Sequence, residues 1–379
     1  MKILIAPDSF KGSLSALRAA ETIRRGLARV WPGAEFVIFP IADGGEGTVE
    51  TLVSLTGGRL VTLEAQDPLG RPVMAGFGFL GDGETAVLEV ASTCGLTRLS
   101  ASELDPAGAS SFGLGQQIRQ ALAMGAKKLL VGLGGSATND GGAGMLSALG
   151  LRFLDRRGRP LPPGGLALAD LDGIDAQGLI AELSDIPITI ASDVQNPLVG
   201  PDGASAVFGP QKGAGPDLIL RLDRALARLA EVARDLTGRD VFQCPGAGAA
   251  GGLGAAFKLF TQARFSPGIE VVLGKGRFRE KAAGASLIIT GEGRSDGQTV
   301  WGKAPVGVAA LGRELGLPTV CLSASLGPGY QKMYDKNIQA IMGMIPGPMA
   351  LAEAMEQAEP LLEEAAERLA RLLDLNLPR

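Results

Sequence analysis

The sequence predicts an α/β protein built on a doubly wound parallel sheet, with a second mixed α/β domain inserted through it. Three observations carry this. Short apolar runs without polar alternation recur along the chain, as in strands covered on both faces. Segments of helical period lie between them. Polar turns rich in glycine follow the runs repeatedly, in a chain of 379 residues that includes 56 glycines.

The elements follow in order. KILIAP at 2–7 is the first strand, and LSALRAAETIRRGLARV places Leu17, Ile23, Leu27 and Val30 at roughly helical spacing, with Ser13 or Ser15 as the cap. EFVIFPI at 35–41 is the second strand, followed by a helix, GTVETLVSLTG, that Gly57 closes. The stretch 59–91 has turn signals at Leu69–Gly70 and Gly81–Asp82–Gly83, which predicts antiparallel strands. Buried strands are predicted at 127–133, 286–293, 318–325 and 338–345, a strand and loop at 151–165, a strand at IPITIAS, and a long helix over 216–238. A last helix over 350–373 carries an apolar stripe of Leu351, Met355, Leu362, Ala366, Leu369 and Leu373, predicted to dock it on the first domain. The predicted first domain is 1–57 with 106–150 and 283–379; the inserted domain is 58–105 with 151–282.

Composition excludes several function classes. A formal net charge of −4 argues against a partner bound through phosphate neutralisation, so no nucleic acid is expected. No apolar run reaches bilayer length, and the opening MKILIAPD lacks a secretory signal, so no membrane partner is expected. Cys94, Cys244 and Cys321 show no metal-ligand spacing and predict a reduced, cytoplasmic protein. The absence of histidine removes a Ser-His-Asp triad, an imidazole zinc site and a phosphohistidine relay. Acid–base work falls to carboxylates, lysine or tyrosine.

Four strand-end loops share one chemistry. APDSFKGS offers Asp8, Ser9, Lys11 and Ser13, and ADGGEGT offers Asp43, Glu46 and Thr48. VGLGGSATNDGGAG offers Gly134, Gly135, Ser136, Thr138, Asn139 and Asp140, and GEGRSDGQTVWGK offers Glu292, Arg294, Asp296 and Lys303. Singly, each reads as a tight turn with a helix cap. Together they fit an anionic ligand with a divalent cation. In the inserted region Asp193 follows IPITIAS, with Asn196, Gln211 and Lys212 after it. A formal G-x-G-x-x-G at Gly246, Gly248 and Gly251 is explained equally well by close helix packing. A P-loop at GQTVWGKA is rejected, because Ala304 lacks the hydroxyl that would bind magnesium and Pro305 follows; Lys303 stays as a phosphate contact. A dinucleotide fingerprint starting at GLGG fails at its third position, Ala137.

These motifs, with PIADGGEGTVE, SDVQNPLVGPDGASAVFGPQKGA, GKAPVGVA and PGPMALAEAM, resemble the bacterial class I glycerate kinases, in that family's order, from Met1 nearly to the C-terminus. The resemblance implies ATP-dependent phosphorylation of D-glycerate with magnesium, to 2-phosphoglycerate or alternatively 3-phosphoglycerate. It also implies a flavodoxin- or Rossmann-like domain, a second domain resembling a restriction-enzyme core, and an active site in the cleft. SSFGLGQQI at 110–118 departs from a threonine-rich family segment, and Gly297 and Ala304 stand where hydroxylated residues are frequent.

In this reading Lys11, Lys212 and Lys303 neutralise carboxylate and phosphate oxygens. Ser9, Gly134, Gly135, Ser136, Thr138, Asn139 and Asn196 bind substrate or nucleotide, the glycines (with Gly141 and Gly142) leaving the backbone bare for oxygens to approach. Asp43, Asp140, Glu292 and Asp296 are the candidate metal ligands, with Glu46 weaker. Asp193 is favoured over Asp8 as the base, and a second role, holding magnesium or orienting a lysine, stays open for it. The expected partners are the small-molecule substrates D-glycerate and ATP, with a homodimer as candidate assembly. The alternatives are a kinase for another small hydroxy acid, an NAD(P)-dependent hydroxy-acid dehydrogenase, and a non-catalytic nucleotide- or sugar-acid-binding regulator.

Overall fold

The computed structural model describes residues 1–300 and 303–375. Trp301 and Gly302, which belong to the GQTVWGKA stretch, and residues 376–379 lie outside the described residues. The chain forms two compact units, Met1–Asp43 with Ile269–Arg379, and Gly44–Gly268. Strands are numbered in chain order.

The first unit is built on β1 (Lys2–Pro7), β2 (Glu35–Ile38), β11 (Leu287–Ser295), β12 (Thr319–Leu326) and β13 (Ala340–Gly343). They form a five-stranded sheet in the order β13-β12-β11-β1-β2, with every neighbouring pair parallel. Renumbered within the unit this is the flavodoxin-like order 2-1-3-4-5. Ile3, Leu4 and Ile5 are fully buried, which is why β1 reads as an unbroken apolar run. On one face lie the helices Ala16–Ala28 and Ala358–Leu373. They cross closely because Gly26 has no side chain: a Cβ there would lie 2.2 Å from the Glu363 carbonyl oxygen. Ser15 caps the first helix, accepting the Arg18 N–H at 3.3 Å.

The predicted last helix is broken. Leu351–Glu356 and Ala358–Leu373 are separate helices, with Gln357 between them. Pro360 cannot supply the N–H that a continuous helix would need there, but it is tolerated in the first turn of a new one. Leu362, Ala366 and Leu369 join the core as expected, whereas Leu351 and Met355 are 75% and 38% exposed.

The second unit holds a six-stranded sheet, β10-β9-β6-β5-β4-β3. Its strands are β3 (Arg59–Gln66), β4 (Pro72–Phe79), β5 (Thr85–Glu89), β6 (Lys128–Gly132), β9 (Ile188–Ala191) and β10 (Arg264–Ser266). β3, β4 and β5 pair antiparallel, as the turn signals predict, and the remaining pairs are parallel. A hairpin of β7 (Arg152–Leu154) and β8 (Gly173–Asp175) stands apart from this sheet. The helices Pro216–Thr237 and Ala249–Phe260 pack into the same core through Leu226, Leu229, Leu253 and Phe257.

The predicted domain boundaries need correction. Residues 44–57 and 106–150, expected in the first domain, belong to the second unit, and 269–282 belong to the first. The decisive pairing is β6, which bonds to β5 on one side and β9 on the other. Its apolar run KLLVG suits either sheet, so nothing local in the strand selects the partner.

Candidate active site

In the first unit the chain runs outward from β1 to β2, and its later strands β11, β12 and β13 extend to the other side of β1. The direction of winding therefore reverses between β1 and β11, and ligands of open α/β sheets bind beyond the carboxyl ends of strands at such a point. Asp8, Ser9 and Lys11 follow β1 there, Asp43 follows β2, Glu292 and Arg294 lie near the end of β11, and Lys303 precedes the helix Ala304–Glu314. All of these line one cavity of about 430 Å³.

Its electrostatics are those of crowded carboxylates. Burial and then the Asp43 carboxylate push the Asp8 carboxyl up to about 7, Glu292 adding to the shift and the Ser9 N–H and Lys11 opposing it. The Ser9 N–H donates to Asp8 Oδ1 at 2.6 Å. Burial also raises Glu292, while its Oε1 accepts from Ser295 Oγ at 2.8 Å and Thr299 Oγ1 at 2.9 Å and the Lys303 charge opposes the rise. Asp296 is not part of the cavity wall. Its Oδ1 accepts the Gln298 N–H at 2.9 Å in a turn, and its Oδ2 lies 3.4 Å from Arg294 Nε.

In the second unit, β6 and β9 are parallel neighbours with Gly132 opposite Ala191, so the glycine-rich loop and Asp193 leave the sheet at the same end. The loop's glycines answer to protein. A Cβ on Gly134 would lie 2.5 Å from the Gly45 Cα, and one on Gly142 2.5 Å from the Ala256 Cβ. Gly142 also has φ +77°, in the left-handed region. Gly141 faces Leu229 in the same way, and only Gly135 has its nearest neighbour, Ala91 Cβ, as far away as 3.6 Å. At Gly134, Gly141 and Gly142 the missing side chain leaves room for packed neighbours of the protein itself.

Asp140, a candidate metal ligand, is held by the protein itself. It is 1% exposed. Its Oδ2 accepts from the Ser111 N–H and Oγ, both at 2.8 Å, and from the Gly144 N–H at 3.1 Å; its Oδ1 accepts from the Gly142 N–H at 3.1 Å. Those bonds tie the loop to Ser111 and bring three donors onto Oδ2 and one onto Oδ1.

The loop leaves other polar groups less satisfied. Lys212 is 2% exposed, and its Nζ donates to the Thr138 carbonyl at 2.6 Å and to Ser136 Oγ at 3.1 Å. Burial lowers its pKa to about 7, against the pull of the Asp140 charge. Asn139 Nδ2 donates to Ser205 Oγ at 2.9 Å, while Asn139 Oδ1 and Thr138 Oγ1 are buried without a partner among the described residues. Such groups are rare, and each has room for a hydrogen bond that the protein does not supply. Asp193 is exposed, with Oδ1 accepting the Gly268 N–H at 3.2 Å. Asn196 Nδ2 donates to the Asp202 carbonyl at 2.9 Å and so shapes its own loop. The formal G-x-G-x-x-G holds no nucleotide loop: a Cβ on Gly251 would lie 2.0 Å from the Thr138 carbonyl oxygen.

The matching family model spans residues 3–374 and describes the glycerate kinase family. The chain belongs to this family. A glycerate kinase of Bacillus subtilis (strain 168) is 46% identical over 99% of this chain and 98% of its own length. The glycerate 2-kinase of Escherichia coli (strain K12) is 42% identical over 100% and 99%. A solved structure from Salmonella typhimurium LT2, described as a candidate glycerate kinase 2, superposes with a TM-score of 0.86 at 44% identity over 98% of both chains.

Sequence reasoning passed over three polar residues of this glycerate kinase family member. Ser111 and Ser205 hold Asp140 and Asn139; Ser205 lies within a segment that carries the family resemblance and Ser111 within one that departs from it, and neither is singled out there. Glu89, 9% exposed at the end of β5, accepts the Val49 N–H at 3.1 Å, and burial raises its pKa. It shares a cavity of about 520 Å³ with the exposed Glu46. An acidic residue inside the apolar run VLEVA was the available signal.

Proposed function

We propose that this chain transfers the γ-phosphoryl group of ATP to a hydroxyl of D-glycerate, giving 2-phosphoglycerate and ADP with magnesium bound. The observation that carries this reading is the cavity at the β1/β11 reversal, where Lys11 and Lys303 face Asp8, Asp43 and Glu292. The names of the relatives support the substrate, and the Escherichia coli name supports the 2-hydroxyl.

The residues present fit magnesium. Burial first, then the Asp43 and Glu292 charges, raise the Asp8 carboxyl, and a cation beside these three carboxylates would relieve their crowding. Among the described residues no three acidic or cysteine groups stand close enough to cage an ion by themselves. Magnesium needs no such cage, since it is usually held by one or two carboxylates together with substrate phosphates and water. Asp43 and Glu292 would hold it, and when bound it neutralises phosphate oxygens.

The chain's own residues supply the rest. Phosphoryl transfer asks mainly for positioning and charge compensation, which suits a protein without histidine. Lys11 and Lys303 attract the phosphate oxygens. In the second unit the buried groups around Lys212 orient the glycerate carboxylate, Lys212 taking on charge when an anion arrives. Asp193 accepts the hydroxyl proton as the oxygen–phosphorus bond forms and the bond to the leaving ADP oxygen breaks. The same reading places the enzyme in the cytoplasm, and a homodimer is the assembly for light scattering to test. No described helix is long and apolar enough to cross a membrane.

ADP release with ATP, magnesium and a panel of small hydroxy acids tests the function. D-glycerate should give the highest kcat/KM, and phosphorus NMR should show the phosphate on the second carbon. Reduction or oxidation of NAD(P) with the same acids, and no ADP, would replace the reading with a dehydrogenase.

A further inference from the structure

The cavity of the first unit has a second wall that charge chemistry does not explain. Met344 and Ile345 lie just beyond the end of β13, and Leu351, Ala354 and Met355 come from the short helix after it; all line the same cavity as Lys11 and Lys303. Leu351 and Met355 are 75% and 38% exposed, though they continue the stripe that buries Leu362, Ala366 and Leu369. The break before Pro360 is what separates these two from the core. The apolar wall and the charged one meet directly: a Cβ on Gly12, next to Lys11, would lie 2.7 Å from Met355 Cε.

Of the two substrates only one can use both walls. Glycerate carries oxygen on every carbon and has no apolar face to cover Leu351 or Met355. A nucleoside triphosphate has a flat, largely apolar base at one end and several negative charges at the other. We propose that this cavity is the nucleotide half of the enzyme, with the base and ribose of ATP against Ile345, Leu351 and Met355 and the phosphates toward Lys11 and Lys303. The cavity, at about 430 Å³, is within the range of small-molecule sites. The inference rests on the kinase reading and deepens it.

The test separates base from phosphate. Met355→Ala and Leu351→Ala should each raise the KM for ATP about 5- to 10-fold, the loss expected when an apolar contact of this size is removed. The KM for D-glycerate should stay within about twofold, and Met355→Leu should restore most of the ATP affinity. Inorganic tripolyphosphate, which has no base, should bind both alanine variants as it binds the wild type in calorimetry. Urea midpoints should be unchanged, since both side chains are exposed. An unchanged KM for ATP, a selective rise for glycerate, or equal losses for ATP and tripolyphosphate would each overturn the proposal. If the wild type shows no glycerate-dependent turnover, the kinase reading fails, and calorimetry of ATP against tripolyphosphate on the same variants still decides where the base binds.

Discussion

The loop after β1 and the loop after β6 look alike in sequence and are opposite in the fold. Each follows an apolar strand and mixes glycine, hydroxyls and an aspartate. After β1, Asp8 and Lys11 border an open cavity shared with Asp43 and Glu292, and the carboxylates disturb one another. After β6, Asp140 is sealed in, with four hydrogen bonds from Ser111, Gly142 and Gly144. The glycines there let helices and strands of the second unit come close. Glycine-rich chemistry at a strand end thus has two physical meanings: room for a ligand, or room for the protein itself. What tells them apart is whether the acidic group has spent its acceptors.

Substitutions can break this contrast, beginning with the largest effect. Asp193 lies in the second unit but, unlike Asp140, is exposed. Asp193→Asn should lower kcat by about 10²-fold or more with stability retained, if it is the base. A near-normal kcat with altered magnesium dependence would make it a metal or lysine partner instead. Asp140→Ala should cost about 3 kcal/mol of stability in urea unfolding, because it strands buried donors of the loop. A loss under 1 kcal/mol would mean that the loop is held by something else.

Lys212 sharpens the contrast through pH. Its folded pKa, about 7, lies below the ordinary value of 10.5, so above pH 7 the unfolded chain takes up a proton that the folded one refuses. Stability from this group is therefore full above about 10.5 and is lost as pH falls toward 7, by at most about 1.4 kcal/mol per pH unit. Lys212→Met should remove that slope in a series of denaturation curves between pH 7 and 10, and an unchanged slope would show that Lys212 keeps its charge. The smallest effect belongs to the ladder of the exposed Arg29 with Glu363 and Glu367, where Arg29→Ala should leave the urea midpoint close to that of the wild type.

Much of the fold was legible because it is written locally. The strands at 2–7 and 127–133, the helix over 216–238 and the closing Gly57 all follow from run length, period and terminal residues. The sheet that β6 joins was not legible, since KLLVG carries no mark of its partner strands. Chemistry at strand ends singles out Asp8, Lys11, Glu292 and Lys303, and these line one cavity. The same rule does not show that Asp140 is held from within, because its partner Ser111 lies 29 positions earlier in a separate segment. The stripe does not reveal that Leu351 and Met355 stay outside the core, because periodicity alone carries no sign of the helix break at Gln357.

The most direct test of the contrast compares Lys11→Met and Asp140→Ala side by side, measuring the KM for ATP and the urea midpoint of each. The account predicts that Lys11→Met raises the KM about tenfold or more while its midpoint stays put, and that Asp140→Ala lowers the midpoint sharply. A Lys11 variant that binds ATP normally, or an Asp140 variant as stable as the wild type, would contradict it.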